Sequence, residues 1–214
     1  ASSDYPLRDV YKRQDLGGTM LFDLLRDSRW FVVRNAVALL GEMGVQSADL
    51  AMLPLLSHED DRIRIAVARA LIRLGTAKAI AGLHNAIDDR HAEVRRIAAV
   101  SYGLSNSVSG GVRPPAARLA AAFEQETDED AALEMLAALG KLGSSDAIQR
   151  LLRIAVPPQN TEAGEKTVPR EAWLRIAAIE ALFKARGNAV LPAIEMLVND
   201  QDPEVAAAAQ RLRG

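Results

Sequence analysis

The chain predicts an all-α fold, a right-handed α-solenoid of about six helix pairs, and three observations predict it. An apolar slot followed by an Ala-rich helical run recurs with first positions at Val32, Ile63, Val94, Ala131, Leu174 and Val205, so the steps are 31, 31, 37, 43 and 31 residues. Self-similarity at such a period marks a repeat array, whose units each carry an apolar face that only a neighbour can cover. Hydrophobic residues make up 49% of the 214, yet aromatics only 4%, with Ala and Leu filling the gap. That suits close-packed helices, where Ala lets backbones approach and Leu fills the grooves. Glycine recurs twelve or thirteen residues after four of the slots, at Gly44, Gly75, Gly143 and Gly187, where a left-handed stop ends a helix.

Taken in order, residues 1–15 are set apart as a non-native or disordered leader. ASSDYPLRDVYKRQ carries neither a helical apolar stripe nor an initiator Met. The solenoid is expected over 16–214, with repeats near 16–46, 47–77, 78–108, 112–145, 146–188 and 189–214. The first helix of each pair shows apolar residues at helical spacing: Leu21, Phe22, Leu24 and Leu25, then Leu53, Leu55 and Leu56, then Leu83, Ala86 and Ile87. Leu151, Leu152 and Ile154 do the same in the fifth pair, and Leu191, Ile194, Leu197 and Val198 in the last. Second helices are expected to bury Val33, Ala36, Leu40 and Met43, or Ile63, Val67, Ala70 and Leu74. Asp202-Pro203 is a helix start, a cap followed by a residue with no N–H to satisfy. A second glycine slot, Gly41, Gly103 and Gly140, lies inside the helices. Glycine there costs about 1 kcal/mol relative to Ala, so a neighbouring helix is expected to pass too close for a side chain. The two long steps place insertions at 105–115 and 156–169, in surface turns that could meet a partner or be merely tolerated.

The repeat is an acidic residue, then Val-Arg, then an Ala-rich helix ending in Leu-Gly-x-x-Gly. It resembles the HEAT repeats, in particular the short bacterial kind grouped with the phycobilisome-lyase HEAT-like repeats, over essentially 16–214. Repeats four and six depart from it with Ala132 and Ala206 in the Arg position. The resemblance implies an armadillo-like solenoid and leaves the task open, because the family spans scaffolds, lyase subunits, a hydroxylase and DNA-repair enzymes.

Asp27, Asp89 and Asp200 stand five residues before a first slot, and Arg64, Arg95 and Arg175 one after it. Stacking is expected to bring an Arg of one repeat to the Asp turn of its neighbour, a structural ladder rather than a ligand site. Trp30, Arg34 and Asn35 depart from the other copies, and with Arg69, Arg73 and Arg96 they form the candidate partner-binding set. Trp beside Arg can anchor an interface, and a Trp at that position can equally seal the turn between two helices.

Other chemistries find little support. With no cysteine, disulfides, thiolate metal sites and Cys nucleophiles are excluded. His58-Glu59 resembles the iron-binding pairs of deoxyhypusine hydroxylases but occurs once, whereas a two-metal site needs several such ligands. No catalytic residue, metal site or cofactor is expected. Net charge is −2, and basic and acidic stretches alternate: eight Lys or Arg in 62–96, then six acidic residues and no basic one in 119–140. A nucleic-acid track should be continuous and rich in stacking aromatics, so nucleic acid is an improbable partner and a protein or peptide the better one. No apolar run reaches the length of a membrane span. The sequence thus reads as a non-enzymatic, cytoplasmic interaction scaffold presenting a concave helical surface, part of a larger bacterial protein. A bilin-lyase subunit and a HEAT-like DNA-lesion binder stand as alternatives.

Overall fold

The computed structural model describes residues 20–111, 113–156 and 171–214, and every regular element among them is helical. A short helical stretch at 20–24 leads to α1 (Trp30–Glu42). Then come α2 (Asp49–Met52) running into a 3-10 turn (Leu53–Ser57), α3 (Asp61–Leu74), and α4 (Ala77–Leu83) with its own 3-10 turn (His84–Asp88). The chain continues through α5 (Ala92–Leu104), α6 (Ala116–Glu124), α7 (Glu129–Leu142) and α8 (Ser145–Ala155). It ends with α9 (Ala172–Arg186), a 3-10 turn (Gly187–Val190), α10 (Leu191–Leu197) and α11 (Pro203–Arg213). The expected leader at 1–15 and most of the 156–169 insertion lie outside the described residues.

The described residues form two compact units, one of 20–98 with 108–111, the other of 99–107 with 113–156 and 171–214. In the first, Val33, Ala36, Val37 and Leu40 of α1 meet Ile63, Val67, Ala70 and Leu71 of α3, closed beneath by Met52 and Leu83. In the second, Leu119 and Phe123 of α6, Met135, Leu136 and Leu139 of α7, and Leu151 and Ile154 of α8 are buried. Ile179 and Leu182 of α9, Ile194 and Leu197 of α10, and Val205 of α11 are buried with them. The apolar spacing of the sequence therefore becomes the packed face of each helix, and burying each such Leu or Ile contributes about 1.5–3 kcal/mol.

Helix ends follow side-chain and glycine chemistry. Asp60, Thr76, Asp128, Ser144 and Asp202 each accept a backbone N–H of the helix they start. Asp202 takes two, from Glu204 at 2.9 Å and Val205 at 3.4 Å, with Pro203 in the first turn as expected. Gly75 and Gly143 end α3 and α7 in the left-handed conformation, at φ +61° and +60°, which a Cβ would strain. Gly44 and Gly187 also lie at positive φ.

Two details differ from the sequence reading. Met43 is 46% exposed, because α1 stops at Glu42 and Met43 caps it outside the buried face. The first helices of pairs two and three are short and tighten into 3-10 turns; Pro54, with no N–H, sits at the start of one of these.

The internal glycines show why they recur. A Cβ on Gly41 would stand 2.9 Å from Cβ of Ala70, and one on Gly140 would stand 2.9 Å from the carbonyl oxygen of Ala181. Successive second helices therefore touch backbone to backbone at these two positions. At Gly103 the tight approach, 2.7 Å, is to the flexible stem of Lys141, while the Ala138 backbone lies at an ordinary contact distance of 3.7 Å.

Candidate functional site

The Arg one position after the slot is a buried strut at two places. Arg64, 3% exposed, donates Nε and Nη2 to the two carboxylate oxygens of Asp89 at 2.9 and 3.0 Å. Its Nη1 reaches the carbonyls of His58 and Glu59 at 2.9 and 3.1 Å. The same fork in the second unit joins Arg175 to Asp200, with Arg175 Nε donating to the Ala155 carbonyl at 3.2 Å. Each strut links a second helix to the turn of the following pair, 25 residues on. Arg175 holds the Asp200 carboxyl below the ordinary carboxylate value, against a smaller opposing effect of burial. Arg95 donates to the Asp89 carbonyl at 2.8 Å, bracing the turn that precedes its own helix. Asp27 departs from the ladder expectation, since Arg29, two residues on, engages both its carboxylate oxygens at 2.9 and 2.8 Å. The ladder spacing meets a closer local donor there.

The candidate partner-binding residues separate into clusters. Trp30 is half-buried against the first core and covered by Arg62, whose guanidinium carbon lies 3.5 Å from the ring centroid. Arg34 approaches the same ring at 5.4 Å and donates to Asn35 Oδ1 at 3.0 and 3.3 Å. Trp30 thus closes the start of α1, while Arg34 and Asn35 remain exposed beside it. Glu93 gathers two of the other arginines: Arg69 at 2.9 Å and Arg96 at 2.8 and 2.9 Å. Arg73 lies 3.7 Å from Glu42, across from α3 to α1. These three arginines, placed by the sequence in the candidate partner-binding set, have carboxylate neighbours.

Hydrogen bonds from Arg96, and then from Arg69, lower the Glu93 carboxyl from 4.5 to about 2. A carboxylate depressed in the folded state contributes stability that is fully present above the unfolded value and lost as pH falls through the folded one. Stability from this cluster should therefore decline between about pH 4.5 and about pH 2. Urea unfolding of wild type and Glu93→Gln across that range checks it: the variant should show the shallower decline, and parallel curves would contradict the assignment.

His58 acts as a turn residue, its Nδ1 accepting the Asp60 N–H at 2.9 Å. No group of His, Asp and Glu suited to a metal ion occurs among the described residues. No helix among them is long and apolar enough to cross a membrane.

Sequence reasoning missed a groove of about 520 Å³ between α7 and α9. The small residues Ala137, Gly140, Ala177 and Ala181 line it, together with the charged Glu134, Lys141, Glu180 and Lys184. Glu134 and Lys141 pair loosely at 3.6 Å. Part of the signal was present: Lys141 and Lys184 each stand ten residues after their slot, above small residues on both second helices. Glu93 was missed too, although Glu93-x-x-Arg96 has the spacing of helix neighbours.

Stacked helix pairs with a shared apolar seam and Arg–Asp struts define an α-solenoid. The family model described as HEAT repeats matches residues 19–102, and that part of the chain is similar to HEAT repeats. In fold it is similar to an engineered protein solved by crystallography, at 18% identity and a TM-score of 0.54, over 92% of this chain and 96% of that one. A designed armadillo repeat protein in complex with the peptide (KR)4 is similar at 17% identity and a TM-score of 0.52, over 91% of this chain and 98% of that one. The complex of CpcE and CpcF of phycocyanin lyase from Nostoc sp. PCC7120 matches at 21% identity and a TM-score of 0.40, over 91% of this chain and 63% of that one. None of the curated proteins matches the chain.

Proposed function

We propose that the chain is a non-enzymatic scaffold that binds another protein or a peptide on the exposed face of its second helices. The observation that carries this reading is what that face exposes. In the first unit, Phe31 and Leu39 on α1 and Met43 at its C-terminal cap are each more than 40% exposed, beside arginines held in place by carboxylates. Phe31, Asn35, Leu39 and Met43 follow one another at four-residue intervals, so they form a stripe rather than scattered surface residues. Arg side chains already fixed by Glu93 lose less rotamer entropy when a partner docks, which favours binding. A designed armadillo repeat protein of this fold was solved with a peptide bound, which supports a peptide or protein as the partner class.

The test is affinity capture by the full chain and by an Arg69/Arg73/Arg96→Ala variant whose helicity is first matched to wild type. The variant should lose its partners or weaken for them at least tenfold. Capture of every partner at undiminished yield would remove these residues from the interface.

A further inference from the structure

We propose that the side of α1 turned away from α3 is a docking surface for a helix of a partner protein, laid along α1 as α1 itself lies along α3. The inference deepens the scaffold reading and rests on it, and the register of the repeats carries it. Gly41 meets Ala70 of α3. Leu39 and Met43 each stand two residues from Gly41, about 200° around the helix, so they point to the opposite side. They precede Ala70 and Leu74 by 31 residues, and those two are buried in the core that α3 shares with α1. Leu39 and Met43 are instead 46% exposed each. The short helix before α1 repeats the pattern. Leu24 is 37% exposed where Ala86, two repeats on, is buried. Met20 is 71% exposed where Gly82, two repeats on, lies so close to Leu53 of the preceding pair that a Cβ would strike it. Positions covered inside the stack therefore stand open here. With Phe31 they make five of the eight large apolar side chains exposed among the described residues, which marks a patch rather than scatter.

The stack itself selects the occupant. Val33, Val37 and Gly41, four apart on one side of α1, lie against α3, and the glycine admits Ala70 to where a Cβ would stand 2.9 Å away. Gly140 of α7 does the same for Ala181 of α9. The helix that covers Leu39 and Met43 is therefore one with apolar residues four apart and a glycine four residues further on. A second copy fits poorly. Its α11 has the small residues Ala206 and Gly214 at the matching places, but between them stands Gln210, an exposed amide that donates to the Val198 carbonyl at 3.4 Å. Two copies of α1 face to face would bring Leu39, not glycine, to the closest approach. A helix of another protein answers both requirements.

Methyl NMR of the full chain labelled at Met tests this. The probe is a lactam-bridged helical peptide with two Leu four apart and Gly four residues further on; its control has the same composition with the two Leu on opposite sides. Met20 and Met43 report the surface, and Met196, 54% exposed in the second unit, reports indiscriminate sticking. The probe should shift Met43, and more weakly Met20, with a Kd below about 1 mM, and leave Met196 in place. It should weaken at least tenfold for Leu39→Lys and bind the Arg69/Arg73/Arg96→Ala variant unchanged. Absence of shifts up to about 5 mM would overturn the proposal. So would equal binding of the control, equal shifts at Met196, or undiminished binding to Leu39→Lys. Shifts of Met20 and Met43 on dilution of the chain alone would assign the surface to a second copy. Binding gained only on removal of residues 1–19 would assign it to the chain's own leader, and either result overturns the proposal. If affinity capture still depends on the three arginines in any of these cases, the scaffold reading stands without this surface. Leu39 is exposed, so Lys there should leave folding intact, and the peptide comparison needs only wild-type protein.

Discussion

Arg64→Ala is expected to destabilise the chain by about 3 kcal/mol or more. Arg64 is 3% exposed and holds Asp89 with two hydrogen bonds and two backbone carbonyls with a third nitrogen. Removing one partner of a buried pair strands the other charge in a poor solvent, and that penalty exceeds what the pair contributes when intact. Replacing both partners, as in Arg64→Met/Asp89→Asn, should therefore recover part of the loss. Denaturant unfolding followed by helicity measures both. Arg62 forms the same two-pronged contact with Asp60 but in solvent, so Arg62→Ala should move the midpoint much less. Equal effects at 62 and 64 would contradict the importance of burial.

Gly140→Val is expected to cost about 2–3 kcal/mol, because its Cβ would meet the Ala181 carbonyl oxygen at 2.9 Å and helix backbones cannot give way cheaply. Gly103→Ala should behave oppositely. Its new methyl would press on the Lys141 stem, which can swing aside, and Ala is a better helix former by about 1 kcal/mol. The pair separates glycine kept for close approach from glycine that merely recurs. Thermal unfolding of the two variants should give shifts of opposite sign, and a loss at both positions would show that the Lys141 stem is as unyielding as a backbone.

Fold was legible because its determinants are periodic. The slot, the capping Asp and the closing Gly recur in phase, and each has a local cause that needs no distant partner, as Asp202 and Gly75 show. The Arg–Asp spacing pointed to struts at Arg64 and Arg175 for the same reason. What the sequence concealed was competition between neighbours. Asp27 stands at the ladder spacing, yet Arg29 is nearer. Arg69 and Arg96, taken from the sequence as partner-binding residues, are both drawn in by Glu93, 24 residues from one and three from the other. The α7–α9 groove was hidden more deeply, since a concavity is defined by side chains that are absent, and Ala137 and Ala177 look in sequence like ordinary helix formers.

Hydrogen exchange of the intact chain, compared with its Gly140→Val variant, tests the stack of helix pairs most directly. Helix pairs that touch mainly their neighbours should confine the damage. Exchange should accelerate in α6 to α9 while α1 and α3 keep wild-type protection. A uniform acceleration through every helix would mean one indivisible core, and would contradict a stack of separable pairs.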